Sequence, residues 1–260
     1  MYMLISKSCC LSRSLLVVFA ALGLTCAMNG QAATKSVDLQ SLYKKAIASP
    51  IRTDDDRAAD AKRKPLEFLQ FAEVRPGMRV LDVAAGGGYT TQLLALVVGN
   101  KGAVWAQSAE LNESFVKRLD KNPQPNINAE VLPYDDPVPF GATKLDLVTI
   151  IFNYHDIAYM PVDRAQMNQR LFDALKPGGH LVVMDHSAKA GSGVSDAKTL
   201  HRIDEKVVRD ELEHAGFKLE KEGDFLRNPN DPRDQPFFKT TIPTDKFALR
   251  FVKPATRPKT

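Results

Sequence analysis

Cysteine is almost missing from this sequence. Its three cysteines, Cys9, Cys10 and Cys26, all lie at or before position 26. The rest of the chain therefore has no means of building a disulfide framework, a cysteine-based zinc site or a thiol nucleophile. Its stability and its chemistry must come from an apolar core and from other polar side chains.

The sequence also lacks a continuous stripe of basic residues. Its 35 Lys and Arg against 31 Asp and Glu give a formal net charge of only +4. A basic cluster at 62–64 follows the acidic run at 54–56, so the two charges are interleaved. Nucleic-acid binding needs basic residues gathered on one face, and we therefore expect no nucleic-acid partner.

No apolar run is long enough for a membrane-spanning helix, which needs about 18 or more apolar residues. An apolar run at 15–28 follows Lys7 and Arg13 and is succeeded by small residues. This pattern is typical of a secretory signal peptide cut after Ala32 or Ala33. We therefore expect residues 1–33 to be a signal peptide and the mature chain to be exported, to the periplasm, without a membrane span. An uncleaved membrane anchor is the alternative.

Beyond this leader the chain alternates strand-like and helix-like patterns and contains no internal repeat. At 260 residues and 44% hydrophobic content, one domain over 34–260 is the natural interpretation. The alternation predicts a parallel sheet with helices on both faces and a ligand crevice at the carboxyl ends of the strands. Strands are predicted at 79–83, 103–107, 127–132, 145–152, 180–184, 217–222 and 246–253, and helices around 39–46, 56–63, 65–71, 92–98, 115–119, 161–175 and 205–215.

The stretch VLDVAAGGGYTT, residues 80–91, places Asp82 four residues ahead of three glycines at such a strand end. A dinucleotide-binding loop would need a glycine where Thr91 stands, and a carboxylate before the loop would repel a pyrophosphate. A ligand with a positive amine suits this site better. S-adenosylmethionine has an amine beside a carboxylate that the helix dipole attracts. We therefore predict that Asp82, Gly86 and Gly88 bind this cofactor, the glycines by letting the backbone approach it.

These motifs resemble the class I S-adenosylmethionine-dependent methyltransferases. VLDVAAGGG matches the first motif of that family. LKPGGHLVV (175–183) matches the turn before its fifth strand, and LEHAGFKL (212–219) matches the passage from a helix into its sixth strand. The resemblance covers roughly 66–253. It implies a doubly wound, Rossmann-like sheet of seven mostly parallel strands, the last one antiparallel at 247–252. It also implies an N-terminal helical lid, here 34–72, over a core of 73–260.

The resemblance assigns two further cofactor contacts. Where the family has an acidic residue that grips the ribose, this sequence has Ser108, with Glu110 nearby as a substitute. Asp135 or Asp136, after the third strand, matches the carboxylate that contacts the adenine amine. For this pair, a solvated turn before Pro137 is the alternative.

The segment NYHD, residues 153–156, follows the predicted fourth strand, beside the transferring methyl group. Histidine titrates near neutrality, so we predict His155 as the general base and Asp156 as the residue that orients it. Asn153 is predicted to hold the methionyl part of the cofactor. A buried structural histidine is the alternative for His155.

Three other residues are predicted near the acceptor. They are Arg63, His186 and His201, although solvation or an ion pair is the alternative for Arg63. The histidines near the crevice invite a metal interpretation with neighbouring aspartates. Without a tight His-x-x-x-His or cysteine pattern, the sequence predicts no metal site.

The predicted function is transfer of a methyl group from S-adenosylmethionine to an unidentified small molecule. Within the methyltransferases, the segments at 57–65, 153–156, 185–188 and 201–204 resemble a bacterial group of exported predicted methyltransferases. The cofactor is made in the cytoplasm, which leaves an exported, non-catalytic binder of a nucleoside-like ligand as a competitor. A dinucleotide-dependent oxidoreductase is the weaker one. The oligomeric state is not fixed by the sequence.

Overall fold

A computed structural model describes residues 38–110 and 112–255. The predicted signal peptide lies outside the described residues. None of the helices in this part of the chain combines the length and the apolar character that crossing a membrane requires. In chain order the elements are α1 (Leu39–Ile47), α2 (Asp54–Arg63), α3 (Pro65–Phe71), β1 (Arg79–Val83), α4 (Tyr89–Val98), β2 (Ala103–Ser108), α5 (Glu113–Lys121), β3 (Ile127–Val131), β4 (Leu145–Ile151), α6 (Tyr154–Tyr159), α7 (Arg164–Ala174), β5 (Leu175–His186), α8 (Ala197–Leu200), α9 (Glu205–His214), β6 (Lys218–Gly223) and β7 (Lys246–Val252).

The seven strands form one sheet in the order β3-β2-β1-β4-β5-β7-β6. Strand β1 pairs in parallel with β2 and β4, and the parallel pairing continues to β3 on one side and β5 on the other. Strand β7 is inserted antiparallel between β5 and β6. The predicted doubly wound fold is confirmed. The strand order reverses between β1 and β4, which places the ligand crevice at their carboxyl ends.

Both faces of the sheet are buried, because helices cover each of them. Along β1, Leu81 and Val83 point into one apolar cluster and Val80 into the other, as the two-residue period of a strand requires. Helices α7 and α9 contribute to the first cluster, and α1, α3 and α4 to the second. The central strands are therefore apolar almost throughout, and a polar residue in them is exceptional.

The predicted helix at 161–175 is wrong in its bounds. Within this range the structure has helix α7 alone, from Arg164 to Ala174, and the shorter α6, which ends at Tyr159 before Pro161, was not predicted. Helix α7 begins after Asp163, whose carboxylate accepts a hydrogen bond from the Gln166 amide at 2.9 Å. An aspartate that caps a helix start is a stronger signal than the proline two residues earlier.

Helix α2 is fastened to the core through its acidic residues. The Asp56 carboxylate accepts two hydrogen bonds from the guanidinium of Arg118 on α5, at 2.7 and 2.8 Å. Asp60 accepts two from Arg52 at 2.8 and 2.5 Å and one from the Tyr89 hydroxyl at 2.6 Å. These contacts hold α2 beside the loop that follows β1.

Candidate active site

A cavity of about 860 Å³ opens at the carboxyl ends of β1 and β4. Its walls come from the loop after β1, the end of β4, helix α2 and the long loop at 226–245. It is therefore formed where the strand order predicts a ligand. The lining residues are Ala59, Lys62, Arg63, Asp82, Ala84, Ala85, Gly86, Gly87, Tyr89, Thr90, Ile151, Phe152, Asn153, Asp156, His186, Phe237, Phe238, Thr240, Thr241, Ile242, Pro243, Thr244 and Lys246.

Asp82 lies in the wall of this cavity and is only 1% exposed. The hydroxyls of Thr91 and Thr149 donate to its two carboxylate oxygens at 2.6 and 2.7 Å. Burial raises the pKa of Asp82 to about 6, although these hydrogen bonds and the charge of Arg63 act in the opposite direction. The carboxyl group is thus ionised at neutral pH, and its oxygens keep lone pairs for a ligand amine.

Two non-glycine residues beside the cavity have left-handed backbone conformations. The φ angle is 56° at Ala84, after β1, and 61° at Phe152, after β4. Such a conformation is costly for a bulky residue and is concentrated at ligand-binding sites. The carboxyl ends of both central strands therefore turn sharply to form the cavity wall.

The three glycines after Asp82 have different roles. Gly86 lines the cavity with a φ of 54°, and a Cβ there would meet only the Ala84 carbonyl, at 3.9 Å. Gly88 is not among the lining residues. A Cβ at Gly88 would lie 2.4 Å from the ring of Phe115, so this glycine allows α5 to pack against the start of α4. Gly88 was predicted as a cofactor contact, and the structure places it behind the loop.

Residues that the sequence did not single out hold this loop in place. The Gln107 side chain accepts a hydrogen bond from the Ala84 amide at 3.2 Å and donates to the Leu132 carbonyl at 2.6 Å. The Arg118 guanidinium donates to the Gly87 carbonyl at 2.8 Å. Gln107 interrupts the apolar strand β2, which was the available signal in the sequence, and the structure shows it to be fully buried.

Asn153 lines the cavity, as predicted for a cofactor contact. Its amide nitrogen donates to the carbonyls of Ala84 and Ile151, at 3.1 and 2.9 Å. The nitrogen therefore ties the ends of β1 and β4 together, and a role toward the cofactor stays a prediction.

Ser108 and Asp135 do not reach the cavity of Asp82. Ser108 ends β2, and its buried hydroxyl has no hydrogen-bond partner within the described residues. Asp135 lines a separate cavity of about 530 Å³ that also contains Ala109 and Tyr134. The neighbouring Asp136 forms an ion pair with Arg170 at 3.1 Å. The proposed ribose and adenine contacts stay predictions.

His155 is 1% exposed and is not among the residues that line the cavity. Its Nδ1 lies 2.6 Å from Asp185 Oδ1, and its Nε2 lies 3.2 Å from Asp156 Oδ1, outside hydrogen-bond geometry. Burial lowers the pKa of His155, but the two carboxylates outweigh it and raise the pKa to about 10. Without a bound cation the imidazole is therefore protonated at neutral pH, and it lies behind the wall. The arrangement does not suit the predicted general base and places Asp156, not His155, in the wall.

His186 was predicted near the acceptor and does line the cavity. Its ring is stacked on Phe237 with centroids 4.1 Å apart, and its Nδ1 lies 2.9 Å from the Thr244 hydroxyl. Burial, followed by the charge of Lys246, lowers the pKa of His186 well below its usual value. The imidazole is therefore neutral at neutral pH. His201 is not a lining residue, although it lies 3.0 Å from Asp156.

Cationic groups form one side of the cavity. The Arg63 guanidinium lies 4.5 Å from the centre of the Tyr89 ring and 5.1 Å from that of Phe152. Its Nη1 is buried and has no hydrogen-bond partner within the described residues. Burial lowers the pKa of Lys246 to about 8, against the charges of nearby carboxylates. An anionic group of a ligand would find its partners here.

Comparison with known proteins agrees with this architecture. Residues 80–179 match a family described as a methyltransferase domain. A ubiquinone/menaquinone biosynthesis C-methyltransferase from Burkholderia multivorans is 33% identical over 121 residues, which cover 45% of this chain and 46% of that protein. The chain thus spans about half the length of the curated relatives it matches.

Two solved structures show how widely this fold is used. A SAM-dependent methyltransferase from Aquifex aeolicus superposes with a TM-score of 0.56 at 18% identity, over 83% of this chain and 98% of that one. The [4+2]-cyclase SpnF superposes with a TM-score of 0.55 at 14% identity, over 84% of this chain and 94% of that one. These comparisons show the fold of the predicted class, and the similarity to a methyltransferase domain extends over residues 80–179.

Proposed function

We propose that this protein transfers a methyl group from S-adenosylmethionine to a small-molecule acceptor. The observation that carries the proposal is a pair of opposite charges in one cavity wall. Asp82 is a buried carboxylate, and Arg63 is partly buried, with an Nη1 that has no hydrogen-bond partner among the described residues. The methionyl end of the cofactor is a zwitterion, so Asp82 would bind its ammonium group and Arg63 its carboxylate. Arg63 then serves the cofactor rather than the acceptor.

The proposal extends to the sulfonium itself. Methyl transfer is an in-line displacement, in which the enzyme mainly aligns the nucleophile and excludes water. The backbone of Gly86 and Gly87 lines the cavity beside Asp82, and Asn153 and Asp156 line it at the end of β4. A cofactor held by its amino-acid end at Asp82 would extend its methyl group along this wall.

The remaining groups favour an acceptor with an acidic or anionic group. Lys62 and Lys246 lie in the wall with the rings of Phe237 and Phe238. A flat anionic molecule would contact cations and apolar rings at once. His186 is the imidazole that lines this wall, so we assign the proton-accepting role to His186 in place of His155.

Transfer of an isotope-labelled methyl group tests this function. The purified protein is mixed with methyl-labelled S-adenosylmethionine and an extract of small metabolites, and labelled products are identified by mass spectrometry. We expect label in a small molecule, and loss of that product on His186→Ala with cofactor affinity retained. Binding without any transfer would instead support the non-catalytic binder.

An oxidoreductase is the weaker alternative for a structural reason. Thr91 stands where a dinucleotide-binding loop needs glycine, and its hydroxyl is bonded to Asp82 at 2.6 Å. This contact keeps a carboxylate where a pyrophosphate would have to lie. Release of NAD or NADP from the purified protein, detected by mass spectrometry, would favour this alternative over the methyltransferase.

We also propose that the protein is exported and belongs to the bacterial group of exported predicted methyltransferases. The charged, apolar and small-residue pattern of 1–33 supports this, together with the four segments that resemble that group. Fractionation of cells followed by N-terminal sequencing tests it. A mature chain beginning near Ala33 or Thr34 outside the cytoplasm is expected, and a cytoplasmic chain that retains Met1 would contradict it.

A further inference from the structure

Three side chains with metal-binding atoms converge at the cavity wall. His155 and Asp156 begin helix α6, and His201 follows helix α8. Asp156 Oδ1 lies 3.2 Å from His155 Nε2 and 3.0 Å from His201 Nδ1. One candidate ligand atom from each residue lies within 4.8 Å of the other two.

The spacing of these atoms suits a common metal ion. Zinc binds histidine nitrogen and carboxylate oxygen at about 2.0–2.2 Å. Two ligands at that distance are separated by about 2.9 Å in an octahedral site and about 3.3 Å in a tetrahedral one, by geometry from the same bond length. The two separations from Asp156 Oδ1 fall within this interval. An ion would therefore fit with little movement of these two pairs.

His155 is already oriented as a metal ligand. Asp185, which is fully buried, accepts the His155 backbone amide at 2.8 Å and lies 2.6 Å from Nδ1. A carboxylate on one ring nitrogen fixes the imidazole so that the other nitrogen, once its proton is released, can coordinate a metal. That other nitrogen, Nε2, is buried and makes no hydrogen bond within the described residues. A buried polar atom without a partner calls for an explanation, and a cation supplies one.

We propose that His155, Asp156 and His201 form a binding site for a divalent transition metal. Two imidazoles and one carboxylate are a ligand set used by zinc and by non-haem iron. Because Asp156 lines the cavity and His155 lies behind it, the open coordination position would face the acceptor. A metal there would lower the pKa of a bound hydroxyl group. The site does not depend on the proposed function, because the metal would bind whether or not methyl transfer occurs.

Cobalt and zinc titrations of the full chain test this site. All proteins carry Cys9→Ser, Cys10→Ser and Cys26→Ser, so that no thiol contributes, and are first stripped with a chelator. We expect one Zn²⁺ per chain by calorimetry and a visible absorption spectrum on addition of Co²⁺. His201→Ala and Asp156→Asn change partly exposed residues. Loss of a residue that only supports a metal ligand weakens metal binding by about 10- to 100-fold, so loss of a ligand should weaken Zn²⁺ binding by at least about 100-fold.

His214→Ala is the matched control, since His214 lies exposed on α9, away from this cluster. It should bind Zn²⁺ as the parent protein does. Melting curves establish that each variant is folded. The proposal is overturned if the parent binds no Zn²⁺ stoichiometrically, or if folded His201→Ala and Asp156→Asn bind it unchanged. A separate titration with S-adenosylmethionine distinguishes this failure from a failure of the proposed function.

Discussion

Asp82 has two roles that are set by its burial. Its contacts with Thr91 and Thr149 join β1 to α4 and β4, and its remaining lone pairs face the cavity. A buried carboxylate without full compensation is difficult to ionise, which is why its pKa lies near 6 rather than near 4. A cationic ligand would supply the missing compensation.

Cofactor affinity should therefore depend on pH through Asp82. The carboxylate is ionised above its pKa of about 6 and neutral below it. We expect the affinity for S-adenosylmethionine to fall about tenfold between pH 7 and pH 5, because only about a tenth of the groups remain ionised at pH 5. Calorimetry across this range measures the effect. Asp82→Asn should bind more weakly at pH 7 and show no such slope, whereas an equal wild-type affinity at both pH values would refute the assignment.

At the scale of elements, the packing of α5 against the start of α4 depends on one glycine. Gly88 and Gly141 have nearly the same φ, 82° and 84°, but a Cβ at Gly141 would meet nothing within 4 Å. Gly141→Ala should cost about 1–2 kcal/mol of unfolding free energy through its backbone conformation alone. Gly88→Ala should cost about 1–3 kcal/mol more, because its Cβ overlaps Phe115. Urea unfolding measures both, and equal losses would mean that the loop relaxes away from α5.

The attachment of α2 rests on a buried ion pair. Asp56→Asn breaks the contacts with Arg118, and removing one partner of such a pair costs about 3–5 kcal/mol. It should also weaken S-adenosylmethionine binding, because Arg63 lies at the end of the same helix. Denaturant unfolding and calorimetry report the two effects.

Asp54→Asn on the same helix is the control for this change. Asp54 is fully exposed, and its contact with Arg57 is a surface ion pair. The unfolding free energy should therefore change by no more than about 0.5 kcal/mol. If both variants behave alike, α2 is not held by Asp56.

The elements that the sequence predicts well are those whose signals are local. Strand β1 follows from a short apolar run that contains one charged residue, Asp82. Helix α2 follows from its polar pattern, and α3 follows from Pro65 at its first position. Helix α6 is only six residues long and leaves no periodicity to detect, so the sequence does not predict it. The cap at Asp163, rather than hydrophobic spacing, marks where α7 begins.

At the scale of the whole molecule, the site is predictable only where it lies in one stretch. Asp82 and Gly86 lie four residues apart in one motif, but Arg63 joins them only because Asp56 and Asp60 anchor α2. The orientation of His155 likewise depends on Asp185, which lies on strand β5. Such contacts follow from packing, and no local pattern in the sequence encodes them.

The central claim is that Asp82 and Arg63 bind the two charged ends of the methionyl group. Calorimetric titration of S-adenosylmethionine into folded Asp82→Asn, Arg63→Met and Arg75→Met proteins tests it most directly. Arg75 is an exposed arginine paired with Glu73, outside the cavity, and serves as the control. The account predicts that Asp82→Asn and Arg63→Met each lose about 1.5–3 kcal/mol of binding free energy and that Arg75→Met loses none. Wild-type affinity in both cavity variants would contradict it.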